Sequence, residues 1–273
     1  MTTDDHVLAR ELAAAAGTRL LELRARGGDQ DVLRKAGDRL SHEFLSTELA
    51  ARRPGDVLLS EEGAEDPARL TARRVWIVDP LDGTREFGEP GRTDWAVHVA
   101  LWERDAPGEL TAGAVALPAQ HKILSTLEPP PERCGTKTVT TGTLPHRSGA
   151  PVVRGAAGRR VRIVVSRTRA PAFVRNISDL LDAEVIVLGS AGAKVAAVVG
   201  GEADAYVHAG GFYEWDTAAP VAVARAAGFH ASRIDGSPLA YNQADLNMPD
   251  ILVCLPALAG ALLQAIREVT NAR

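Results

Sequence analysis

The sequence predicts a layered α/β fold in which helices cover β-sheets. Short runs of apolar, often β-branched residues, such as Val75–Val78, alternate with longer segments whose apolar side chains fall on one side of a helix. The first pattern is typical of buried strands and the second of amphipathic helices. Some of the apolar runs end at a carboxylate, where the functional groups of open α/β sheets gather. Strands and helices in alternation favour the layered α/β class.

The first half of the chain contains two predicted helices followed by four predicted strands. The first helix extends from about Asp5 to Arg26, and the second lies between the Gly37 region and the turn at Arg53-Pro54-Gly55. Proline and glycine in that turn end the second helix. The predicted strands are 57–59, 75–78, 95–102 and 111–117, the last two as neighbours in one sheet.

The second half alternates strand and helix more regularly. Residues 128–160 lose periodicity and are rich in Pro, Gly, Thr and Arg, which predicts an irregular surface excursion between the halves. We divide the chain into an N-terminal α+β half at 1–130, the excursion at 131–160 and a C-terminal α/β half at 161–273, packed as one compact unit. The later strands are 161–165, 185–188, 205–208 and 251–254, and the later helices begin near Pro171, at Gly192, after Asp216 and at Pro256.

Composition excludes several classes of function. The 273 residues carry a net charge of −4, from 31 Lys and Arg against 35 Asp and Glu, so the chain lacks the basic excess that binds nucleic-acid polymers. Cys134 and Cys254 are too few for a disulfide framework or a cysteine metal site. The start is acidic where a secretory signal is basic, and no apolar run approaches the roughly 20 residues of a membrane span. We expect no membrane partner and a cytoplasmic location.

Residues 75–88, VWIVDPLDGTREFG, place two carboxylates at the end of a predicted strand. Asp79 and Asp82 flank a turn that Pro80 initiates, so both can face one point, with the Leu81 carbonyl between them. Hard oxygen ligands of this kind suit Mg²⁺ or Mn²⁺ rather than zinc. The backbone N–H groups that follow can form an anion-binding nest for a phosphate. An ordinary Asx-Pro turn is the alternative for the dipeptide alone.

Further carboxylates lie where such a site would need them. Glu61 follows the strand at 57–59, while Asp216 and Asp38 lie at predicted helix starts. Each has a structural alternative, a solvated loop for Glu61 and a helix N-cap for the two aspartates. Their common position at strand ends and helix starts favours one shared site. The N-terminal half is therefore predicted to bind metal.

Three motifs resemble those of one enzyme family. They are SEEG at 60–63, WIVDPLDGT at 76–84 and WDTAAPVAVARAAG at 215–228. They are similar to the motifs of the lithium-sensitive, magnesium-dependent phosphatases of the inositol monophosphatase superfamily, which includes fructose-1,6-bisphosphatase. The order and spacing agree from about Asp5 to the C-terminus, except over 128–160. The resemblance implies an alternating αβαβα sandwich, phosphate-ester hydrolysis and, since family members are often dimers, a homodimer.

Four segments resemble the CysQ branch of that family, the 3′-phosphoadenosine 5′-phosphate (PAP) phosphatases. They are DGTREF at 82–87, VVSRTR at 164–169, SAGAK at 190–194 and the segment 236–253. The resemblance implies hydrolysis of the 3′-phosphate of PAP, or of its sulfated form PAPS, to AMP in sulfur assimilation. Arg169 and His208 depart from the branch pattern, which leaves inositol monophosphatase or fructose-1,6-bisphosphatase activity as alternatives. A catalytically inactive phosphate-binding regulatory protein is an alternative of another class.

The resemblance also implies roles for individual residues, with two Mg²⁺ ions and a third, weaker magnesium site near Asp38. Thr84 would orient the attacking water, and Glu61 or Asp38 would take its proton. The implied metal ligands are Glu61, Asp79, the Leu81 carbonyl, Asp82 and Asp216. The implied substrate-binding residues are Glu61, Leu81, Asp82, Gly83, Thr84, Ser190, Lys194 and Asp216.

Lys194 is the main candidate for binding the 5′-phosphate of a nucleotide. It lies at the start of a predicted helix, where a cation opposes the helix dipole, so we predict that it binds this phosphate together with Ser190. A surface lysine is the alternative. Arg167 and Arg169 are weaker candidates for the same phosphate, and solvated side chains are the favoured alternative. Tyr241 and Asn242 are candidates to border the adenine, with packing as the alternative for Tyr241. Core positions are expected for Trp76, Trp95 and Trp102, and structural roles for His98 and His121.

Overall fold

The computed structural model describes residues 4–106, 110–129, 155 and 158–271. Within these ranges the helices are α1 Asp5–Ala25, α2 Gln30–Arg52, α3 Thr84–Gly88, α4 Val174–Leu181, α5 Ala191–Gly200, α6 Glu214–Ala226 and α7 Pro256–Asn271. The strands of the first half are β1 Val57–Ser60, β2 Arg74–Asp82, β3 Ala96–Glu103, β4 Leu110–Leu117 and β5 Lys122–Ser125. Those of the second half are β6 Arg162–Ser166, β7 Glu184–Leu188, β8 Ala205–Tyr213, β9 His230–Ser232 and β10 Asn247–Cys254.

The strands form two five-stranded mixed sheets. In the first sheet, ordered β1-β2-β3-β4-β5, the β1/β2 pair is parallel and the other pairs are antiparallel. In the second, ordered β7-β6-β8-β10-β9, β6 runs parallel to both of its neighbours, and β10 runs antiparallel to both of its own. Since β1 and β2 are parallel, their carboxyl ends meet at one edge of the first sheet.

Three helical layers enclose the two sheets. Helices α1 and α2 pack on one face of the first sheet, α5 and α6 lie between the sheets, and α4 and α7 cover the outer face of the second. Strand β2 is buried on both faces because Trp76 and Val78 face α1 and α2, whereas Val75 and Ile77 face α5 and α6. The predicted αβαβα sandwich is confirmed, and Trp76, Trp95 and Trp102 are core residues as expected.

Helix α2 begins earlier than the sequence pattern predicted, so the expected position of Asp38 at its start is wrong. The side chain of Asp29 accepts from the backbone N–H groups of Asp31 and Val32, both at 3.0 Å, and caps the helix there. Asp38 therefore lies inside α2, more than one turn beyond its first residue. The first turn projects mostly into solvent, with Val32 67% exposed, so apolar periodicity did not mark it.

Some elements were absent from the sequence prediction. The short strands β5 and β9 and the five-residue helix α3 are too brief to show a period. Most of the excursion predicted at 131–160 lies outside the described residues, and the division into halves stays a prediction. Among the helices of the described part of the chain, none combines the length and the apolar character needed to cross a membrane.

Candidate active site

Most predicted site residues line one cavity of about 550 Å³. It lies where the ends of β1 and β2 meet the starts of α3, α5 and α6, and it extends to the inner side of the second sheet. The predicted residues in its lining are Glu61, Asp79, Leu81, Asp82, Gly83, Thr84, Ser190, Lys194 and Asp216. Asp38 contacts the site through Thr84, whose hydroxyl lies 3.2 Å from Asp38 Oδ1.

The turn after β2 directs its two carboxylates into the cavity. Asp79 Oδ1 accepts a hydrogen bond from the Leu81 N–H at 3.0 Å, and the register with β3 is interrupted between Asp79 and Asp82. Gly83 then has a left-handed conformation with φ of 84°. A Cβ there would also lie 3.2 Å from the Asp94 carbonyl and from Ser190 Cβ, so only glycine fits without strain.

The other two carboxylates reach the cavity from neighbouring elements. Glu61 follows β1, and the parallel pairing of β1 with β2 places it at the same sheet edge. Asp216 lies in the first turn of α6, where its Oδ2 accepts from the Tyr213 N–H at 2.6 Å. Tyr213 is the N-cap residue, so Asp216 stabilises the helix start from the third helical position rather than as the cap.

Three of these carboxyls have raised pKa values because they share a poorly solvated space. Burial and the charges of Glu61, Asp82 and Asp216 raise the pKa of Asp79 well above its usual range. Loss of solvent and the charge of Asp216 raise the pKa of Glu61 to about 7. Burial and the charge of Asp82 raise the pKa of Asp216 to about 6. The negative charges of these carboxylates repel one another without a counter-ion, and their oxygens are the ligands that a hard divalent cation prefers.

Asp82 behaves differently because the protein surrounds one of its oxygens with polar contacts. Its Oδ2 accepts from Ser190 Oγ at 2.5 Å and from the Gly192 N–H at 2.9 Å, and His98 Nε2 lies 3.2 Å away. Burial alone would raise its pKa, but His98, Lys194 and Ser190 lower it to about 2. The Ser190 hydroxyl, predicted to bind substrate, is bound to Asp82 here.

Sequence reasoning missed the proximity of His98 to the carboxylates. Asp79, Asp82 and His98 bring potential ligand atoms within 4.8 Å of one another. His98 pairs with Asp79 across β2 and β3, and this register is not visible in the sequence. Its role was expected to be structural, and the structure gives it specific polar neighbours.

Lys194 is buried at 4% exposure, so the alternative of a surface lysine is wrong. Its Nζ donates to the Gly189 carbonyl at 2.8 Å and to the Ser190 carbonyl at 2.7 Å. These bonds offset the unfavourable helix dipole, and an ammonium has a third hydrogen to offer. Burial lowers the pKa of Lys194 to about 8.

Basic and aromatic side chains form the wall that faces the carboxylates. Arg169, Tyr206, His208 and Phe212 line this side together with Lys194. Arg169 is exposed, as expected, and it also lines the cavity, where its Nη1 donates to the Gly211 carbonyl. Burial, with the charges of Lys194 and Arg169, lowers the pKa of His208 to about 4, so this imidazole is neutral near pH 7.

Other residues considered for substrate contact have structural partners. Arg167 pairs with Glu86 at 2.7 Å and with Glu89 at 2.8 Å. Tyr241 is fully buried, and its hydroxyl donates to Thr217 Oγ1 at 3.2 Å. The buried Asn242 exchanges hydrogen bonds with Arg69, one from its side-chain amide and one to its side-chain oxygen. For Tyr241 the packing alternative is therefore the correct one, and Asn242 has a structural partner as well.

The five layers and the acidic centre at the strand ends define a layered α/β fold with a cluster of side chains that could hold a cation. The model of the inositol monophosphatase family matches residues 5–271, and the chain belongs to this family.

Individual relatives show which proteins of the family the chain is similar to. A 3′-phosphoadenosine 5′-phosphate phosphatase of Mycobacterium leprae is 50% identical over 97% of this chain and 94% of its own length. The 3′(2′),5′-bisphosphate nucleotidase CysQ of Escherichia coli K12 is 31% identical over 85% of this chain and 91% of its own length. The crystal structure of CysQ from Bacteroides thetaiotaomicron superposes with a TM-score of 0.72 at 27% identity, covering 92% of this chain and 97% of that one.

Proposed function

We propose that this chain is a Mg²⁺-dependent phosphatase that hydrolyses the 3′-phosphate of PAP to give AMP and phosphate. The names of its relatives support a bisphosphate nucleotide as substrate. The observation that carries the proposal is that one cavity is lined both by a cluster of carboxylates and by the basic side chains of Lys194 and Arg169. A location in the cytoplasm, a role in sulfur assimilation and a homodimer stay predictions.

The two ends of the cavity match the two phosphates of the substrate. The acidic end, with Asp79, Asp82 and Asp216, would hold the metal ions and the scissile 3′-phosphate. The basic end, with Lys194 and Arg169, would neutralise the 5′-phosphate through charge-assisted hydrogen bonds. A volume of about 550 Å³ is within the range of small-molecule sites. A monophosphate ester would leave the buried Lys194 without an anionic partner in the substrate.

The donor set fits magnesium. Glu61, Asp79, the Leu81 carbonyl, Asp82 and Asp216 supply only oxygen atoms, and their mutual repulsion is relieved when a cation is bound. Two Mg²⁺ ions held there, with a weaker third near Asp38, would polarise the phosphoryl group and stabilise the developing charge on the leaving oxygen.

The residues around Thr84 can position water and accept a proton. The Thr84 hydroxyl lies 3.0 Å from the Leu81 carbonyl and 3.2 Å from Asp38 Oδ1, so its orientation is fixed. Burial and the charge of Glu62 raise the pKa of Asp38 to about 6. A carboxylate with a pKa near the working pH is suited to general-base catalysis. Glu61, with a pKa of about 7, is a second acceptor at the mouth of the site.

A phosphate-release panel tests the proposal. We expect the purified chain with Mg²⁺ to release phosphate faster, at limiting substrate, from PAP than from inositol 1-phosphate or fructose 1,6-bisphosphate, with PAPS as a second nucleotide substrate. Preference for either of the other two esters would reassign the substrate within the family. No release from any ester, with Mg²⁺ binding or nucleotide binding retained, would instead support an inactive regulatory protein.

A further inference from the structure

The two oxygens of the Asp82 carboxylate have different surroundings. We call the contacts of Oδ2 the Oδ2 cradle; they are Ser190 Oγ at 2.5 Å, the Gly192 N–H at 2.9 Å and His98 Nε2 at 3.2 Å. Among the described residues none donates to Oδ1, and Asp82 lines the cavity. One oxygen is thus held by the protein, and the other is left for a cation.

His98 contributes to the cradle from the middle of β3. Its ring is fully buried, and its Nδ1 lies 3.2 Å from the Trp215 carbonyl on the opposite side from Asp82. Nε2 is at ion-pair distance from Oδ2 but out of line for a hydrogen bond, so this contact is electrostatic.

The position of the ring distinguishes a supporting role from direct metal binding. Nε2 is sealed from solvent, and His98 is not among the residues that line the cavity, whereas Asp79 and Asp82 are. A Cβ on Gly192 would lie 2.3 Å from Nε2, so the ring occupies space that only a glycine leaves. The ring is therefore confined between the start of α5 and the acidic centre.

The same ring connects two of the proposed metal ligands. On one side it contacts Asp82, and on the other it contacts the carbonyl of Trp215, which directly precedes Asp216. A change in its position would shift Asp82 and the start of α6 relative to each other. Metal sites depend on such supporting contacts, since they fix the orientation of the ligands.

We propose that His98 is a positioning residue, which holds Asp82 and the helix start carrying Asp216 so that both face the same cation. This inference rests on the metal centre of the proposed function. It assigns His98 no contact with substrate, so its effect is on metal affinity.

A matched pair of amide variants tests the proposal. The amide nitrogen of Gln can replace Nε2 and keep the contact with Asp82, whereas that of Asn can replace only Nδ1. Titration calorimetry of the full chain with Mg²⁺ should show His98→Gln within about threefold of wild type. His98→Asn should bind Mg²⁺ about 10- to 100-fold more weakly, the loss typical of a supporting residue of a metal ligand.

A split in the kinetic constants separates positioning from general damage. For His98→Asn the Mg²⁺ concentration that gives half-maximal rate should rise in parallel with the calorimetric constant, while KM for PAP at saturating Mg²⁺ stays within about twofold. Equal Mg²⁺ affinity in His98→Asn and wild type, or equal losses in both variants, would overturn the proposal. Wild-type protein that binds no Mg²⁺ would instead refute the proposed function.

Circular dichroism and thermal melting check that the variants fold. If His98→Asn does not fold, Ser190→Ala takes its place, because it removes a different donor from the same oxygen. We expect at least tenfold weaker Mg²⁺ binding from it. Unchanged affinity in folded Ser190→Ala would overturn the role of the Oδ2 cradle and, with it, that of His98.

Discussion

Replacing Asp216 with asparagine should stabilise the metal-free protein, although the same change removes a proposed metal ligand. In the folded chain burial, followed by the charge of Asp82, raises the pKa of Asp216 from 3.8 to about 6. The folded state therefore binds this proton more tightly than the unfolded state. The stabilisation that this proton provides is complete below pH 3.8 and is lost as the pH rises through about 6.

The size of the effect follows from the pKa difference. A difference of roughly two pKa units, at about 1.4 kcal/mol each, lowers the free energy of unfolding at neutral pH by about 3 kcal/mol relative to acidic pH. This figure is an upper limit, because the side chain retains some contact with solvent. The asparagine side chain would keep an oxygen that can accept from the Tyr213 N–H, so the helix cap need not be lost.

Urea unfolding with and without Mg²⁺ measures this effect. In EDTA at about pH 8, Asp216→Asn should be more stable than wild type by up to about 3 kcal/mol, and the gain should shrink toward about pH 5. Added Mg²⁺ should stabilise wild type more than the variant, because a bound cation offsets the repulsion that the variant lacks.

Asp204 provides a control of the opposite sign. It is a buried aspartate whose two oxygens are bound by Arg159 and by the Arg162 N–H. Asp204→Asn should therefore destabilise the protein both in EDTA and in Mg²⁺. If Asp216→Asn behaved like Asp204→Asn in EDTA at about pH 8, the acidic centre would not be the repulsive cluster inferred here.

Three further changes test the chemistry. Asp82→Asn should abolish phosphate release while circular dichroism shows a native fold; wild-type turnover would contradict the metal assignment. Lys194→Ala should raise KM for PAP far more than KM for inositol 1-phosphate, since only PAP carries a 5′-phosphate, and an equal rise for both would remove Lys194 from that subsite. Lithium should inhibit PAP hydrolysis, as the family resemblance implies. A rate independent of added Li⁺ would show that this chain does not share the lithium sensitivity of the family.

The layered fold was predictable because its central strands are buried on both faces. Such strands appear in the sequence as continuous apolar runs, and β2 is the clearest example. The start of α2 was not predictable in the same way, since its first turn is exposed and only the cap at Asp29 marks it. Apolar periodicity locates helices and strands where they contact the core, but it gives no signal where they project into solvent.

The carboxylates of the site were predictable for a related reason. Asp79 and Asp82 are close in sequence, and their spacing alone brings them to one turn. His98 was missed because its contacts depend on strand register and on the approach of Gly192 from a distant helix. Contacts between elements far apart in the chain cannot be derived from local pattern.

Arg167 is only partly exposed, and its ion pair connects two of the motifs noted in the sequence. Arg167, in VVSRTR, donates to Glu86, in DGTREF, from Nε at 3.1 Å and from Nη2 at 2.7 Å. Glu86 is buried, and a Cβ on Gly189 would lie 2.4 Å from its side chain, so the carboxylate of this pair is tightly enclosed.

This ion pair links the first half of the chain to the second half beside the cavity. Glu86 belongs to α3, which directly follows the turn of Asp82, whereas Arg167 follows β6 in the second sheet and precedes the cavity residue Arg169 by two positions. Asp79 and Asp82 belong to the first sheet, whereas Asp216 and the basic residues Lys194 and Arg169 come from the second half of the chain. The ion pair therefore joins elements of both halves of the chain beside the cavity, and Glu86 itself is part of the cavity lining.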